Sequence, residues 1–68
     1  MELSVFIKEK RKQMGLTQEE LAEKAGVALT VIRKIEQRKD NLSLAKVNQV
    51  LALFGCRLGA IPQKELDK

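Results

Sequence analysis

The sequence predicts a small all-α domain of four to five helices, followed by a short β-strand. The chain has 68 residues, of which 44% are hydrophobic, 32% are charged and 3% are aromatic. This length allows one domain, and the apolar content is typical of a folded chain rather than a disordered one. Apolar residues recur at helical spacing in four stretches, each followed by a glycine or a polar turn. Both observations favour helices packed around an aliphatic core.

The first two helices are predicted from apolar spacing and from signals at their ends. The first spans about residues 3–14, and Gly15 ends it as a left-handed cap. Its apolar face consists of Leu3, Phe6, Ile7 and Met14. Thr17 begins the second helix, and Glu20 three residues later completes a capping box. Gly26 ends this helix after two to three turns.

The third and fourth helices are separated by a polar turn at residues 38–41. Val27 resumes the apolar pattern, and Val31, Ile32 and Ile35 follow it at helical spacing, which predicts a third helix that extends to about Gln37. Ser43 is a good N-cap for a fourth helix that extends to about Phe54. The apolar stripe of the fourth helix is Leu44, Val47, Val50, Leu51 and Phe54.

The end of the chain differs from the helical part. Residues 56–62 predict a short strand, because small or apolar residues alternate with others until Pro62. Residues 63–68 are charged and predict a flexible tail. The domain organisation is therefore a helical domain over residues 1–55, a strand and a tail.

The residue inventory argues against catalysis. The chain has no His, Trp or Tyr and a single Cys, so neither a zinc cluster nor an internal disulfide is expected. No glycine-rich loop could hold a phosphate group, and no cofactor is expected. No apolar run is long enough to cross a bilayer, and no signal peptide is visible. We interpret the chain as a cytoplasmic, non-enzymatic binding module without a membrane association.

Positive charge is concentrated in two short segments. Residues 8–12 and 33–39 together hold eight basic and two acidic residues, whereas the rest of the chain holds five basic and seven acidic residues. A local excess of this kind is typical of a nucleic-acid footprint. From charge alone, an ordinary solvated surface or an anionic membrane contact stays open.

Two short helices joined at residues 25–27 describe a helix-turn-helix. This geometry needs a small residue where the helices approach, supplied by Ala22, and a residue that tolerates positive φ, supplied by Gly26. Apolar residues must also anchor both helices. Leu21, Val27 and Ile32 meet that need.

The string Gly-Leu-Thr-Gln-Glu-Glu-Leu-Ala-Glu-Lys-Ala-Gly-Val at residues 15–27, with Ile32 and Ile35-Glu36 after it, closely resembles the phage-repressor-like, Cro/C1-type helix-turn-helix family. The resemblance covers about residues 3–55. It implies a lambda-repressor-like fold and binding to double-stranded DNA. It also implies a homodimer that recognises a palindromic operator.

The resemblance also implies roles for individual residues. Gln18 is expected to contact a DNA phosphate and to brace the third helix, which enters the major groove. The outward positions of that helix are Ala28, Leu29, Thr30, Arg33 and Lys34. Ala28 and Leu29 depart from the family pattern, which has more polar residues at these positions, so no base specificity is expected from them.

Further contacts are implied beyond the third helix. Arg38, Lys39 and Asn41 are expected beside the DNA backbone, although Arg38 stands where the family commonly has glycine. Arg11 and Glu36 match a pair that bridges the first helix to the end of the third. An exposed pair of this kind contributes only about 0–1 kcal/mol, and that interpretation stays open.

Residues 42–62 resemble, less specifically, the HipB-type antitoxin repressors. This resemblance implies that the strand pairs with its twin in a dimer, and that a HipA-type kinase toxin is a partner. The expected dimerisation residues are Phe54, Arg57, Leu58, Ala60 and Ile61. Two alternatives stay open: a stand-alone repressor without a toxin, and a protein-interaction adaptor on the same fold.

Overall fold

In the computed structural model, which describes residues 2–59, four α-helices surround one core. They are α1 (Leu3–Gln13), α2 (Gln18–Ala25), α3 (Leu29–Glu36) and α4 (Leu44–Ala52). Because α3 packs against each of the other three helices, it is the central element. The predicted all-α fold is confirmed, with four helices in the described part of the chain. None of these helices is long and apolar enough to cross a membrane.

The core takes one fully buried aliphatic side chain from each helix. Ile7, Leu21, Ile32 and Val50 each expose 0% of their surface. Burying a side chain of this size contributes about 1.5–3 kcal/mol. Ala22, Ala25, Ile35, Val47 and Leu51 complete the buried set. The predicted apolar faces are therefore confirmed along most of their length.

Two residues predicted on those faces are exposed instead. Met14 is 46% exposed and Leu44 is 69% exposed. Met14 is the C-cap of α1, and Leu44 is the first residue of α4. Each therefore stands at a helix end, where the neighbouring helices no longer cover the stripe.

The predicted helix starts at Thr17 and Ser43 are confirmed. Thr17 Oγ1 accepts a hydrogen bond from the Glu20 backbone N–H at 3.1 Å, and the Thr17 N–H donates to Glu20 Oε1 at 2.8 Å. That backbone bond lowers the pKa of Glu20 from its ordinary value of 4.5, so the carboxylate stays ionised for capping. Ser43 Oγ accepts from the Lys46 N–H at 3.4 Å.

All four helices end in the same hydrogen-bond pattern, with a left-handed residue after the last turn. Three of these residues are glycines: Gly15 and Gly26, which were predicted to end their helices, and Gly55. After α3 the position is occupied by Arg38, with φ +63°. The Lys39 N–H then donates to the Lys34 carbonyl at 3.0 Å, and the Arg38 N–H donates to Ile35 at 3.2 Å. This is a Schellman motif with a bulky residue in place of glycine.

Replacing Arg38 by glycine should therefore stabilise the domain. A left-handed conformation costs a non-glycine residue about 1–2 kcal/mol, and the greater chain entropy of glycine offsets part of that cost. We expect the free energy of unfolding to rise by about 0.5–1 kcal/mol in urea titrations. Arg38→Ala is the control, since it removes the same charge but keeps the strain. Equal stability of the two variants would contradict the prediction.

The C-terminal segment stays close to α4 as far as the description extends. The Leu58 N–H donates to Asn48 Oδ1 at 2.7 Å, and the Cys56 N–H donates to the Leu51 carbonyl at 3.0 Å. Residues 56–59 contain no strand. Ala60, Ile61 and the predicted tail lie outside the described residues, so the pairing strand stays a prediction.

Phe54 was predicted to be buried against a second chain, and within this chain it is half-buried. Its ring contacts Phe6 edge-to-face, with the centroids 6.4 Å apart. Leu58 is 38% exposed and Arg57 is exposed. The two aromatic side chains thus join the ends of α1 and α4 within one protomer.

Candidate nucleic-acid interface

The α2–α3 unit has the predicted helix-turn-helix spacing. Only residues 26–28 separate the two helices, and Gly26 adopts φ +74° in the turn. Val27 belongs to the turn, in agreement with the joint predicted at residues 25–27. It lies before the N-cap, Ala28, and packs against the core, while its N–H donates to the Ala22 carbonyl at 3.0 Å. The spacing of apolar residues thus continues from α2 into α3, because Val27 in the turn also packs against the core.

A groove runs along the exposed side of α3 into the following turn. We name it the α3 groove, and it is lined by Thr30, Arg33, Lys34, Gln37, Lys39 and Asn41. Three of these residues are cationic and none is acidic, which suits a phosphate backbone. Five of the six were predicted from sequence. Gln37 was not, because the pattern marks it only as a helix end.

A second groove lies between the start of α2 and the start of α3. This α2–α3 groove is lined by Arg11, Thr17, Gln18, Glu19, Leu29 and Arg33. Arg33 therefore borders both grooves. Leu29 was predicted to face outward, but it is half-buried against the core and presents only part of its side chain. Ala28 is exposed at the N-cap of α3.

Arg11, Glu36 and Gln18 form one hydrogen-bonded cluster beneath the grooves. Arg11 Nε donates to Glu36 Oε2 at 2.8 Å, and Arg11 Nη2 donates to Oε1 at 3.1 Å. Gln18 Nε2 also donates to Oε1, at 3.2 Å. The third Arg11 donor, Nη1, reaches the Leu16 carbonyl at 2.9 Å. The predicted bridge from α1 to the end of α3 is therefore present, and Gln18 braces it.

Burial decides between the two interpretations of the Arg11–Glu36 pair. Their side chains are 14% and 5% exposed, so this is not a solvated surface pair. The hydrogen bonds that Arg11 donates to the Glu36 carboxylate raise the pKa of Arg11, so the guanidinium stays charged. Because Glu36 neutralises Arg11, the basic segment at residues 8–12 contributes less free charge than its sequence indicates. Neither groove is lined by Lys8, Lys10 or Lys12.

Arg38 does not line the α3 groove. Its guanidinium forms an exposed ion pair with Glu2, just before α1. Exposed pairs contribute little to stability, so this pair leaves the arginine available to another anion. The predicted phosphate contact of Arg38 stays a prediction.

Gln49 is a residue of this region that carries no signal in the sequence. It lies on α4 between apolar positions and resembles an ordinary exposed amide. Its Nε2 donates to the Ala25 carbonyl at 3.1 Å and to the Gly26 carbonyl at 2.9 Å. The turn of the helix-turn-helix is thus attached to α4.

Comparison with known proteins agrees with this geometry. The helix-turn-helix family matches residues 7–61. The chain is 34% identical over 67 residues to the "Uncharacterized HTH-type transcriptional regulator y4mF" of Sinorhizobium fredii, which covers 98% of this chain and 88% of that protein. It is 38% identical over 53 residues to an "Uncharacterized HTH-type transcriptional regulator" of Methanothermobacter thermautotrophicus, covering 78% of this chain and 77% of that protein.

A helix-turn-helix whose second helix borders a cationic groove defines a class of DNA-binding proteins. This chain belongs to the helix-turn-helix family. The family match and the two relatives place it among the transcriptional regulators that carry such a domain.

Proposed function

We propose that this protein is a sequence-specific transcriptional repressor that binds double-stranded DNA as a homodimer on a palindromic operator. The observation that carries the proposal is the α3 groove, whose lining holds the polar side chain of Thr30 and three cations but no acidic residue. The proposal includes a cytoplasmic, non-catalytic role. Repression follows from occupying an operator that overlaps the path of RNA polymerase.

The α3 groove supports base contacts at one end and phosphate contacts at the other. Thr30 and Arg33 lie nearest the start of α3, the end that enters the major groove in this motif. Arg33 can donate two hydrogen bonds to guanine. Lys34, Lys39 and Asn41 line the C-terminal part of the groove, where phosphate contacts position the protein.

Replacing Arg33 by alanine tests the base-reading role. We expect a loss of about 1–3 kcal/mol in binding to the duplex enriched from a random pool, together with a changed base preference. Lys39→Ala is the matched control, which should weaken enriched and random duplexes alike and lower the salt slope by about 1. Fluorescence titrations of enriched and random duplexes at several salt concentrations measure the affinities and the salt slope.

Two outcomes of these titrations would count against the proposal. Equal losses of Arg33→Ala on enriched and random duplexes would make Arg33 a phosphate contact. If the wild-type protein showed no sequence preference, or an affinity independent of salt, the adaptor alternative would replace DNA binding.

The homodimer rests on the C-terminal segment. In an extended segment, neighbouring N–H groups point to opposite sides. Those of Cys56 and Leu58 are directed toward α4, which would leave Arg57 and Gly59 to face a second chain. An antiparallel twin strand would satisfy their backbone groups and remove an unpaired edge.

Deleting residues 57–68 tests the pairing strand. We expect a dimer-to-monomer shift in sedimentation and a loss of operator affinity of at least about tenfold, or 1.4 kcal/mol. The physical reason is that one α3 helix reads only a few base pairs, whereas two copies about 34 Å apart read two half-sites. A truncated protein that stays dimeric and binds normally would exclude the strand.

The finer assignment is an antitoxin of the HipB type that neutralises a HipA-type kinase toxin. Its support is the resemblance of residues 42–62, in which Leu42 packs against the core and Asn48 holds the C-terminal segment. Co-purification of a kinase-like protein at a 1:1 ratio, encoded by the adjacent downstream gene, is the expected result. A purified repressor with no such neighbour would support the stand-alone alternative.

A further inference from the structure

We propose that Gln49 is a positioning residue of the DNA-binding surface: its side-chain amide attaches the α2–α3 turn to α4 and thereby sets how α3 meets DNA. For its effect on DNA, the inference rests on the proposed function. The clamp itself is a property of the free protein and can be measured without DNA.

The hydrogen bonds of Gln49 are directed at the end of α2. Its Nε2 donates to the carbonyls of Ala25 and Gly26, at 3.1 and 2.9 Å. Ala25 is the last residue of α2, and Gly26 is its left-handed cap. A helix leaves its final carbonyls without helical donors, so an amide from another element satisfies groups that the backbone cannot. Gln49 thus supplies a cap from a distant part of the chain.

The approach is close enough to constrain the turn. A Cβ added at residue 26 would lie 3.1 Å from Gln49 Nε2. Glycine at this position therefore serves two needs, the positive φ of the turn and the space for the amide. A side chain at residue 26 would therefore force the Gln49 amide to shift by a few tenths of an ångström.

The position of the turn determines the position of the reading helix. Only Val27 and Ala28 separate Gly26 from the first residue of α3, and Thr30 and Arg33 follow within its first turn and a half. Base contacts require side chains held within about 0.5 Å of their productive position. Phosphate contacts by flexible lysines tolerate more displacement. Loosening the turn should therefore reduce sequence preference more than general affinity.

The side chain of Gln49 is not part of the hydrophobic core, so its positioning role can be tested separately from core packing. Gln49 is exposed, whereas its neighbours on α4, Val47, Val50 and Leu51, are buried. Replacing its amide leaves those contacts in place and opens no cavity. The fold is therefore expected to survive the substitution.

Gln49→Met is the test variant, because methionine has a similar length and no donor. Gln13→Met is the matched control, since Gln13 is an exposed amide on α1. Gln49→Lys restores a donor on a side chain of sufficient length. Far-UV circular dichroism first establishes conditions under which all variants are fully folded.

Amide hydrogen exchange in the free protein gives the first readout. In Gln49→Met, exchange at Gly26 and Val27 should accelerate about fivefold, as expected for the loss of about one net hydrogen bond, while Ile7 in α1 is unaffected. Gln13→Met should leave all three amides unchanged, and Gln49→Lys should restore protection. Unchanged exchange at Gly26 and Val27 would overturn the proposal.

Titration of enriched and random duplexes gives the second readout. In Gln49→Met the ratio of the two affinities should fall about tenfold, while the affinity for random DNA and its salt slope stay constant. In Gln49→Lys the ratio should recover. An unchanged ratio despite faster exchange would overturn the positioning role. If the wild-type protein has no sequence preference, the proposed function fails, and the exchange data alone then support or overturn the clamp.

Discussion

Replacing Ile32 by alanine should destabilise the domain by about 2–5 kcal/mol. Ile32 is fully buried on the inner side of α3, the helix that packs against all the others. Removing its side-chain carbons loses burial and leaves a cavity in the shared core. Proteins of this length have little stability in reserve, so a large fraction of the variant should be unfolded at physiological temperature. Urea unfolding followed by circular dichroism measures the change.

Two further substitutions on the same helix make this result specific. Ile32→Val removes a single methylene and should cost about 0.5–1.5 kcal/mol. Thr30→Ala lies on the exposed side of α3 and should reduce DNA binding while leaving the unfolding midpoint nearly unchanged. If Ile32→Ala cost less than about 1 kcal/mol, the core assigned to α3 would be contradicted.

Local signals predicted the helices because each signal satisfies a nearby backbone group. Thr17, Ser43 and the glycines after α1, α2 and α4 lie within a few residues of the groups that they cap or release. The same logic fails at Arg38, which adopts the left-handed conformation without a residue type that favours it. Position 38 was singled out only by the family resemblance, because the family commonly has glycine where this chain has Arg38.

The candidate site was predicted less completely than the helices, because hydrogen bonds between residues far apart in the sequence hold it together. Thr30, Arg33 and Lys34 share one face of a helix, so periodicity was sufficient to group them. The side chain of Gln49 is hydrogen-bonded to Ala25 and Gly26, which precede it by 24 and 23 positions. No local sequence pattern indicates these contacts. The degree of burial of Arg11 and Glu36 also emerges only from packing, since their pairing spans 25 positions.

The second large effect is expected at Glu36. Glu36→Ala should cost about 2–3 kcal/mol, because it leaves the mostly buried Arg11 guanidinium without its charged partner. The same substitution removes the acceptor of the Gln18 amide. Because the Gln18 side chain is then no longer held in place by this hydrogen bond, its expected contact with a DNA phosphate should weaken. We therefore also expect weaker binding to enriched and random duplexes alike.

A double-mutant cycle with Arg11→Met isolates the pair from its surroundings. Methionine keeps most of the aliphatic stem of arginine, so the packing of α1 is largely preserved. The double variant should be less destabilised than the sum of the two single variants, with a coupling energy of about 1–3 kcal/mol. A coupling below about 0.5 kcal/mol would restore the interpretation of an ordinary surface pair.

The pH dependence of this coupling follows from the pKa of Arg11. The hydrogen bonds and the charge of Glu36 raise that pKa above its ordinary value. A raised pKa in the folded state means that the stabilisation is complete below the unfolded value and is lost only as the pH rises through the folded value. Titration of Arg11 should therefore not change the coupling between pH 7 and pH 10. A coupling that fell across this range would show that the guanidinium is not the charged partner of Glu36, and that the bridge from α1 to the end of α3 has another origin.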